Sequence, residues 1–237
     1  MLKQMARKAV VRQILGDYCC VICRRSCTSE PSICGGCTEI LPWLGADICL
    51  VCGAQNEDFD GCCATSVDSF EHRLALFDYS FPIDGLLKRL KYGEKRTIGR
   101  NLGLLLGQSA FLGGLAGGVD LLLPIPLAWS RRRVRGFNQA ADIAQACSSV
   151  LGIPWSDKLL VRHAHTPMLA GLSPVERRFA LLGAFAASDV VEGKHVALID
   201  DVMTSGATSL ELNRELKDRG ASSVSIWTVA RTVQALE

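Results

Sequence analysis

Apolar positions recur along this chain with two spacings. Leu74 to Phe81 alternates as a strand does, and Pro82 interrupts it. Ile83 to Leu90 then follows helical spacing, with Leu86, Leu87 and Leu90 on the apolar side. Asn101 to Val119 carries no charge, but Gln108 and Ser109 interrupt its first half and paired glycines break its second. That pattern predicts a buried helix ending near Gly113 rather than a membrane span. Asp120 to Leu123 predicts a central strand, ended by Pro124 and Pro126. A helix capped by Asn138 continues to Val150. Val196 to Ile199 is a short, bounded apolar run, the mark of a buried strand. Leu212 and Leu216 share one face of the helix after it, and Gly220 is its stop. Ser223 to Ala230 is β-branched and alternating, and reads as the last strand. Strands separated by helices predict an α/β fold with a parallel sheet, helices on its faces and right-handed crossovers.

The chemistry concentrates where the run Val196–Ile199 gives out. Asp200 and Asp201 come first, then Thr204, Ser205, Gly206, Ala207, Thr208 and Ser209 at the head of a helix. Backbone N–H groups at a helix N-terminus, with the helix dipole behind them, bind phosphate. Gly206 lets the backbone approach closely, and the hydroxyls add donors. Two acids beside a phosphate cradle repel phosphate but accept hydrogen bonds from a sugar diol. The stretch therefore reads as a site for a ribose 5-phosphate unit. In the plainer alternative, the acids only cap the helix and the hydroxyls only make turns.

Composition adds a second element. The chain has 237 residues, 49% hydrophobic and 21% charged, enough for one core and a small appendage. A net charge of +2 supports no strong electrostatic claim about nucleic acid. Ten of the eleven cysteines fall between Cys19 and Cys63. CxxC pairs without a secretory leader point to metal in a reducing, cytoplasmic setting rather than to disulfides. Cys20, Cys23, Cys34 and Cys37 form two such pairs and are assigned one structural zinc. Cys49 and Cys52 form a third pair, with Asp60, Cys62 and Cys63 open as its partners in a second site. Cys19 and Cys27 are spare. The mildly basic stretch Met1 to Asp17 reads as a helix leading into this segment, with a membrane-surface helix as the alternative. The expected division is residues 1–69, a double zinc ribbon-like segment, and residues 70–237, the α/β domain.

The stretch from Asp200 to Ser209 resembles the PRPP-binding signature of type I phosphoribosyltransferases. With the cysteine segment, the chain from about Cys20 to Arg231 resembles the ComF family, which includes proteins of DNA uptake in natural transformation. Leu90-Lys91-Tyr92-Gly93, Gly136-Phe137-Asn138-Gln139, Thr166-Pro167, Ala170-Gly171-Leu172 and Gly183-Ala184-Phe185 match it. Leu169 and Ala180 stand where the family has Gln and Asn, and Asp60 where it has a cysteine. The resemblance implies a type I phosphoribosyltransferase-like domain. Residues Thr204 to Ser209 would hold the 5-phosphate of PRPP. Asp200 and Asp201 would be the catalytic pair on the ribose hydroxyls. A loop of Ala128, Trp129, Ser130 and Arg131 would carry magnesium pyrophosphate, and Arg162 to Phe185 would close over the site. Lys91 reads equally as a phosphate contact or a solvated helix-end lysine. Arg177 and Arg178 are candidate anion contacts, and His163 and His165 read as solvent-exposed. Single-stranded DNA and competence proteins are the implied partners. Nothing in the sequence identifies an acceptor for phosphoribose, so a PRPP-sensing regulator and a nucleic-acid adaptor stand beside the enzyme.

Overall fold

A computed structural model describes residues 18–45, 70–93, 95–163, 179–204 and 206–232. The Met1–Asp17 stretch, Asp60 and the cysteines Cys49, Cys52, Cys62 and Cys63 lie outside them. So do His165 to Leu172, Arg177, Arg178 and Ser205.

Among the described residues, four strands make one parallel sheet. They are β3 (Arg73–Asp78), β4 (Leu121–Pro124), β7 (His195–Met203) and β8 (Ser223–Arg231), in the order β3-β8-β7-β4. A hairpin of β1 (Tyr18–Cys19) and β2 (Ser26–Cys27) precedes it, and β5 (Leu160–Arg162) pairs antiparallel with β6 (Phe185–Ala187). The helices are α1 (Gly35–Glu39), α2 (Ile83–Tyr92), α3 (Arg96–Leu112), α4 (Trp129–Arg135), α5 (Gln139–Leu151) and α6 (Ala207–Asp218). None is long and apolar enough to cross a membrane.

Both faces of the sheet are covered. Leu87, Leu102, Ile143, Ile199 and Trp227 centre the core under α2, α3 and α5, while Leu123, Leu198, Leu212, Leu216 and Ile226 centre the core under α6. Burial on both faces explains why Val196 to Ile199 reads as an unbroken apolar run. It also explains a correction. β4 is not central: among the described residues it ends the four-strand order, continued only by an isolated bridge from Leu122 to Trp155. Its Leu121, Leu122 and Leu123 are as buried as those of an inner strand, so their apolar character does not reveal position. Pro124 is the last residue of β4, opposite Ile199, so the strand ends at it as expected.

The α3–α5 contact has a sequence device. Gly99, Gly103 and Gly107 lie four apart on α3 and face α5. A Cβ on Gly103 would stand 2.8 Å from the Ala146 Cβ and closer still to the Ile143 carbonyl. Gly103→Ala gains about 1 kcal/mol of helix propensity. It forces backbone apart, an overpacking cost of about 3 kcal/mol. The net lowers Tm by roughly 4–8 °C; a scanning-calorimetry Tm equal to or above the parent's would refute the close approach.

The cysteine hairpin packs on the same body. Leu41 belongs to the core under α2 and α3, Trp43 bridges Phe77 of β3, and Leu44 N–H donates to the Leu76 carbonyl at 2.9 Å. Glu30 accepts both nitrogens of an Arg100 fork, at 2.9 and 2.7 Å, and Arg89 Nη1 donates to the Val21 carbonyl at 3.2 Å.

Candidate functional site

A cleft of about 370 Å³ opens at the carboxyl edge of β4 and β7. That edge is where open α/β sheets bind ligands. Asp200 and Asp201 lie on its wall, inside the last turns of β7 rather than beyond the strand as the sequence pattern suggested. β8 pairs with β7 as far as Met203, which carries the strand past the apolar run.

Opposite charges organise the acid corner. Lys91 Nζ, reaching in from the end of α2, is 2.6 Å from Asp201 Oδ2, with the two side chains only 18% and 14% exposed. Lys91 is thus neither solvated nor left for phosphate alone. The Asp201 N–H donates to Asp200 Oδ1 at 2.8 Å. Loss of water, then the neighbouring Asp201 charge, pushes the Asp200 carboxyl well above the usual carboxylate range; Lys91 opposes this only in part. Asp200 therefore holds a proton under conditions where an ordinary aspartate is ionised.

The turn into α6 gives the second wall. Gly206 is the N-cap at φ +71°, a conformation that favours glycine, and no side chain caps the helix. The first-turn N–H groups of α6 thus have no side-chain cap to satisfy them. Gly206, Ala207, Thr208 and Thr204 line the cleft. Ser209 lines it too, but is buried and donates its hydroxyl to the Gly206 carbonyl at 2.8 Å, so it braces the turn rather than offering a free donor.

The expected pyrophosphate loop is partly a helix. Ala128 is the N-cap of α4, and Trp129, Ser130 and Arg131 form its first turn. Ala128 and Arg131 line the cleft, whereas Trp129 and Ser130 are exposed and outside its lining. Trp129 instead stacks under Arg133, with the guanidinium carbon 4.5 Å from the ring centre. Arg135, the end of the basic run Arg131–Arg135 whose charge at this edge favours a phosphate-facing role, follows Arg131 by four and shares its face. Arg162 of β5, read from the sequence only as the start of the closing segment, and Tyr79, just past β3, also line the wall; Tyr79 was missed. Burial, with Arg131 nearby, lowers the pKa of the Arg162 guanidinium. The place of Arg162 and Tyr79 on this wall depends on tertiary placement alone. His163 is exposed, as expected.

The first cysteine set is assembled as its spacing predicts. The sulfurs of Cys20, Cys23, Cys34 and Cys37 all lie within 4.8 Å of one another, and those of Cys23 and Cys34 are 3.5 Å apart. A tetrahedral zinc with bonds of about 2.3 Å spaces its sulfurs about 3.8 Å apart, so the set fits the ion. The Cys34 N–H points at the Cys20 sulfur at 3.5 Å. Against the opposing effect of burial, such N–H donors hold the Cys20 thiol down to about 6, while burial and its thiol neighbours push Cys37 up to about 12. Cys19 and Cys27 stand apart from the cluster. Cys147 is fully buried in the core under α5.

A parallel α/β sheet with a ligand cleft at its carboxyl edge, joined to a four-thiol metal-binding module, is the class these features define. Comparison with known proteins narrows it. The chain is 30% identical over 218 residues to DNA utilization protein YhgH of Salmonella typhimurium, covering 90% of each. It is 28% identical over 225 residues to Competence protein F of Haemophilus influenzae, covering 91% of this chain and 97% of that one. It therefore belongs to the ComF family of competence and DNA utilization proteins. No family model matches the chain. Among solved structures it is similar to a hypoxanthine phosphoribosyltransferase from Staphylococcus aureus, at 17% identity and TM-score 0.38 over 59% of this chain and 68% of that one. It is also similar to an allosteric regulatory enzyme of purine biosynthesis, at 23% identity and TM-score 0.38 over 55% and 25%.

Proposed function

We propose that this is a DNA-uptake protein of the ComF type whose cleft binds PRPP. The observation that carries the reading is the acid pair and the uncapped α6 N-terminus on walls of one cleft. The 5-phosphate sits on the N–H groups of the Gly206–Thr208 turn, joined by the hydroxyls of Thr204 and Ser205. The ribose hydroxyls donate to Asp200 and Asp201. Arg131 and Arg135 take the pyrophosphate, with the Ala128 turn beside them. Magnesium would come with PRPP, carried on the pyrophosphate beside Ala128 and Arg131, and would supply charge neutralisation to the leaving group. If transfer occurs, the bond from the anomeric carbon to pyrophosphate breaks as an acceptor's lone pair attacks, and the acid pair stabilises positive charge on the ribose.

The exposed rings of Trp129 and Tyr92 beside the cleft, stacked under Arg133 and Arg135, favour nucleic acid as the further partner. Zinc in the Cys20–Cys37 cluster is structural in this reading, because four thiols leave no open position. The metal module is residues 1–69 and the PRPP unit residues 70–237, in the cytoplasm with the competence machinery.

The test is calorimetric titration of the metal-loaded chain with magnesium–PRPP, with pyrophosphate release followed over candidate bases and single-stranded DNA. Saturable heat with PRPP supports the reading, and release of pyrophosphate makes the protein a transferase. Saturable binding without release leaves a sensor. No binding removes the PRPP site.

A further inference from the structure

One group on the cleft wall has no part in the reading above. Lys91 ends a helix that cannot drift: Ile83, Leu86, Leu87 and Leu90 of α2 are buried in the core, and Arg89 is tied to the Val21 carbonyl beside Cys20. Its ammonium is nearly out of water and pairs with Asp201, whose Oδ2 makes no other hydrogen bond among the described residues. A lysine drawn into such a site needs a partner, and a carboxylate there needs one equally. The corner holds Lys91 from α2 and Asp200 and Asp201 from β7, while Arg131 and Arg135 of α4 and Arg162 of β5 lie elsewhere on the wall.

We propose that Lys91 is a positioning residue: it orients the Asp201 carboxylate to accept the ribose hydroxyls. This rests on the PRPP reading, and it assigns Lys91 to the sugar rather than to a phosphate. One oxygen of Asp201 is held by the ammonium, so the other is left to the diol in a fixed direction. A lysine that serves only to tie α2 to β7 would affect stability and leave ligand choice alone.

The experiment titrates the full metal-loaded chain, Lys91→Met, Lys91→Arg and Asp201→Asn with ribose 5-phosphate, magnesium–PRPP and inorganic phosphate. Lys91→Met should weaken ribose 5-phosphate and PRPP by about tenfold or more, the loss of one hydrogen bond to a charged group. It should change inorganic phosphate by less than about threefold, within the scatter for independent sites. Lys91→Arg, which keeps the charge, should recover most of the loss. In the Asp201→Asn background, Lys91→Met should cost nothing further, because the lysine acts through that carboxylate. Equal losses for phosphate and sugar phosphate would make Lys91 a plain anion contact and overturn the proposal. So would full affinity in Lys91→Met, or additive losses in the double variant. If Lys91→Met melts early, Lys91→Gln carries the same comparison. A parent chain that binds phosphate but neither sugar phosphate fails the PRPP reading itself, an outcome separate from any effect of Lys91.

Discussion

Changing Asp200 and Asp201 together to asparagine will weaken magnesium–PRPP by about thirtyfold or more in calorimetric titration. A hydrogen bond to the ionised Asp201 is worth about 1.5–3 kcal/mol and one to the protonated Asp200 about 0.5–1.5 kcal/mol, together about 2–4.5 kcal/mol, or roughly 30-fold to 2,000-fold in Kd. Asparagine keeps shape and size, so the loss reports chemistry rather than a void. Undiminished affinity would mean the sugar does not sit on this pair. Asp200→Asn alone has a second, opposite effect on stability. The native carboxyl of Asp200 titrates above its unfolded value of about 3.9 because it is cut off from water beside Asp201. The folded chain therefore keeps a proton that the unfolded chain releases. The associated stability is full below the unfolded value and is lost as pH rises through the folded one. Asp200→Asn does not pay that alkaline penalty. As pH rises through the folded value, its Tm should gain on the parent's, by about 3–6 °C for each pK unit of upward shift. A Tm difference independent of pH would contradict the protonated Asp200.

The other large effect belongs to the cysteines. Cys37→Ser should lose the bound zinc, read by metal analysis against a parent carrying at least one ion per chain. Structural zinc supplies about 10–16 kcal/mol to its own module, comparable to the stability of a whole domain. Only part of that reaches the α/β body, through Leu41, Trp43 and the Glu30–Arg100 fork. Even about 4 kcal/mol lowers Tm by roughly 8–16 °C. Cys19→Ser is the control, since Cys19 is exposed and outside the cluster, and should leave metal and Tm unchanged. A Cys37→Ser chain with full metal content would refute the four-thiol site.

Much of this was legible in the sequence because the signals were local. CxxC spacing brought four sulfurs together, since each turn fixes its own pair. Asn138 caps α5 through the Ala140 N–H because an N-cap is a matter of a few residues. The helix ending at Gly113 and the buried leucines of α2 followed from periodicity. What stayed hidden depends on residues far apart in the chain. The Lys91–Asp201 pair joins two elements whose meeting no pattern announces. The rank of β4 in the sheet was invisible, because leucines covered by helices on both sides look the same at an edge as in the middle. Reading Ala128 to Arg131 as a loop hid why Arg131 and Arg135 share one wall, which a helical turn explains.

The position of β8 between β3 and β7 bears on how the protein is made. The β3–β8 ladder joins segments some 150 residues apart, as the His72–Ser225 contact at a separation of 153 records. Contact order that high slows folding and leaves sticky intermediates exposed. The thiol cluster closes within 18 residues, from Cys20 to Cys37. A zinc ion taken up by this cluster would be captured during synthesis, before the sheet closes. Depleting zinc at that stage should then lower the yield of folded chain more than depleting it from finished protein, read as soluble yield from cells grown with and without a chelator.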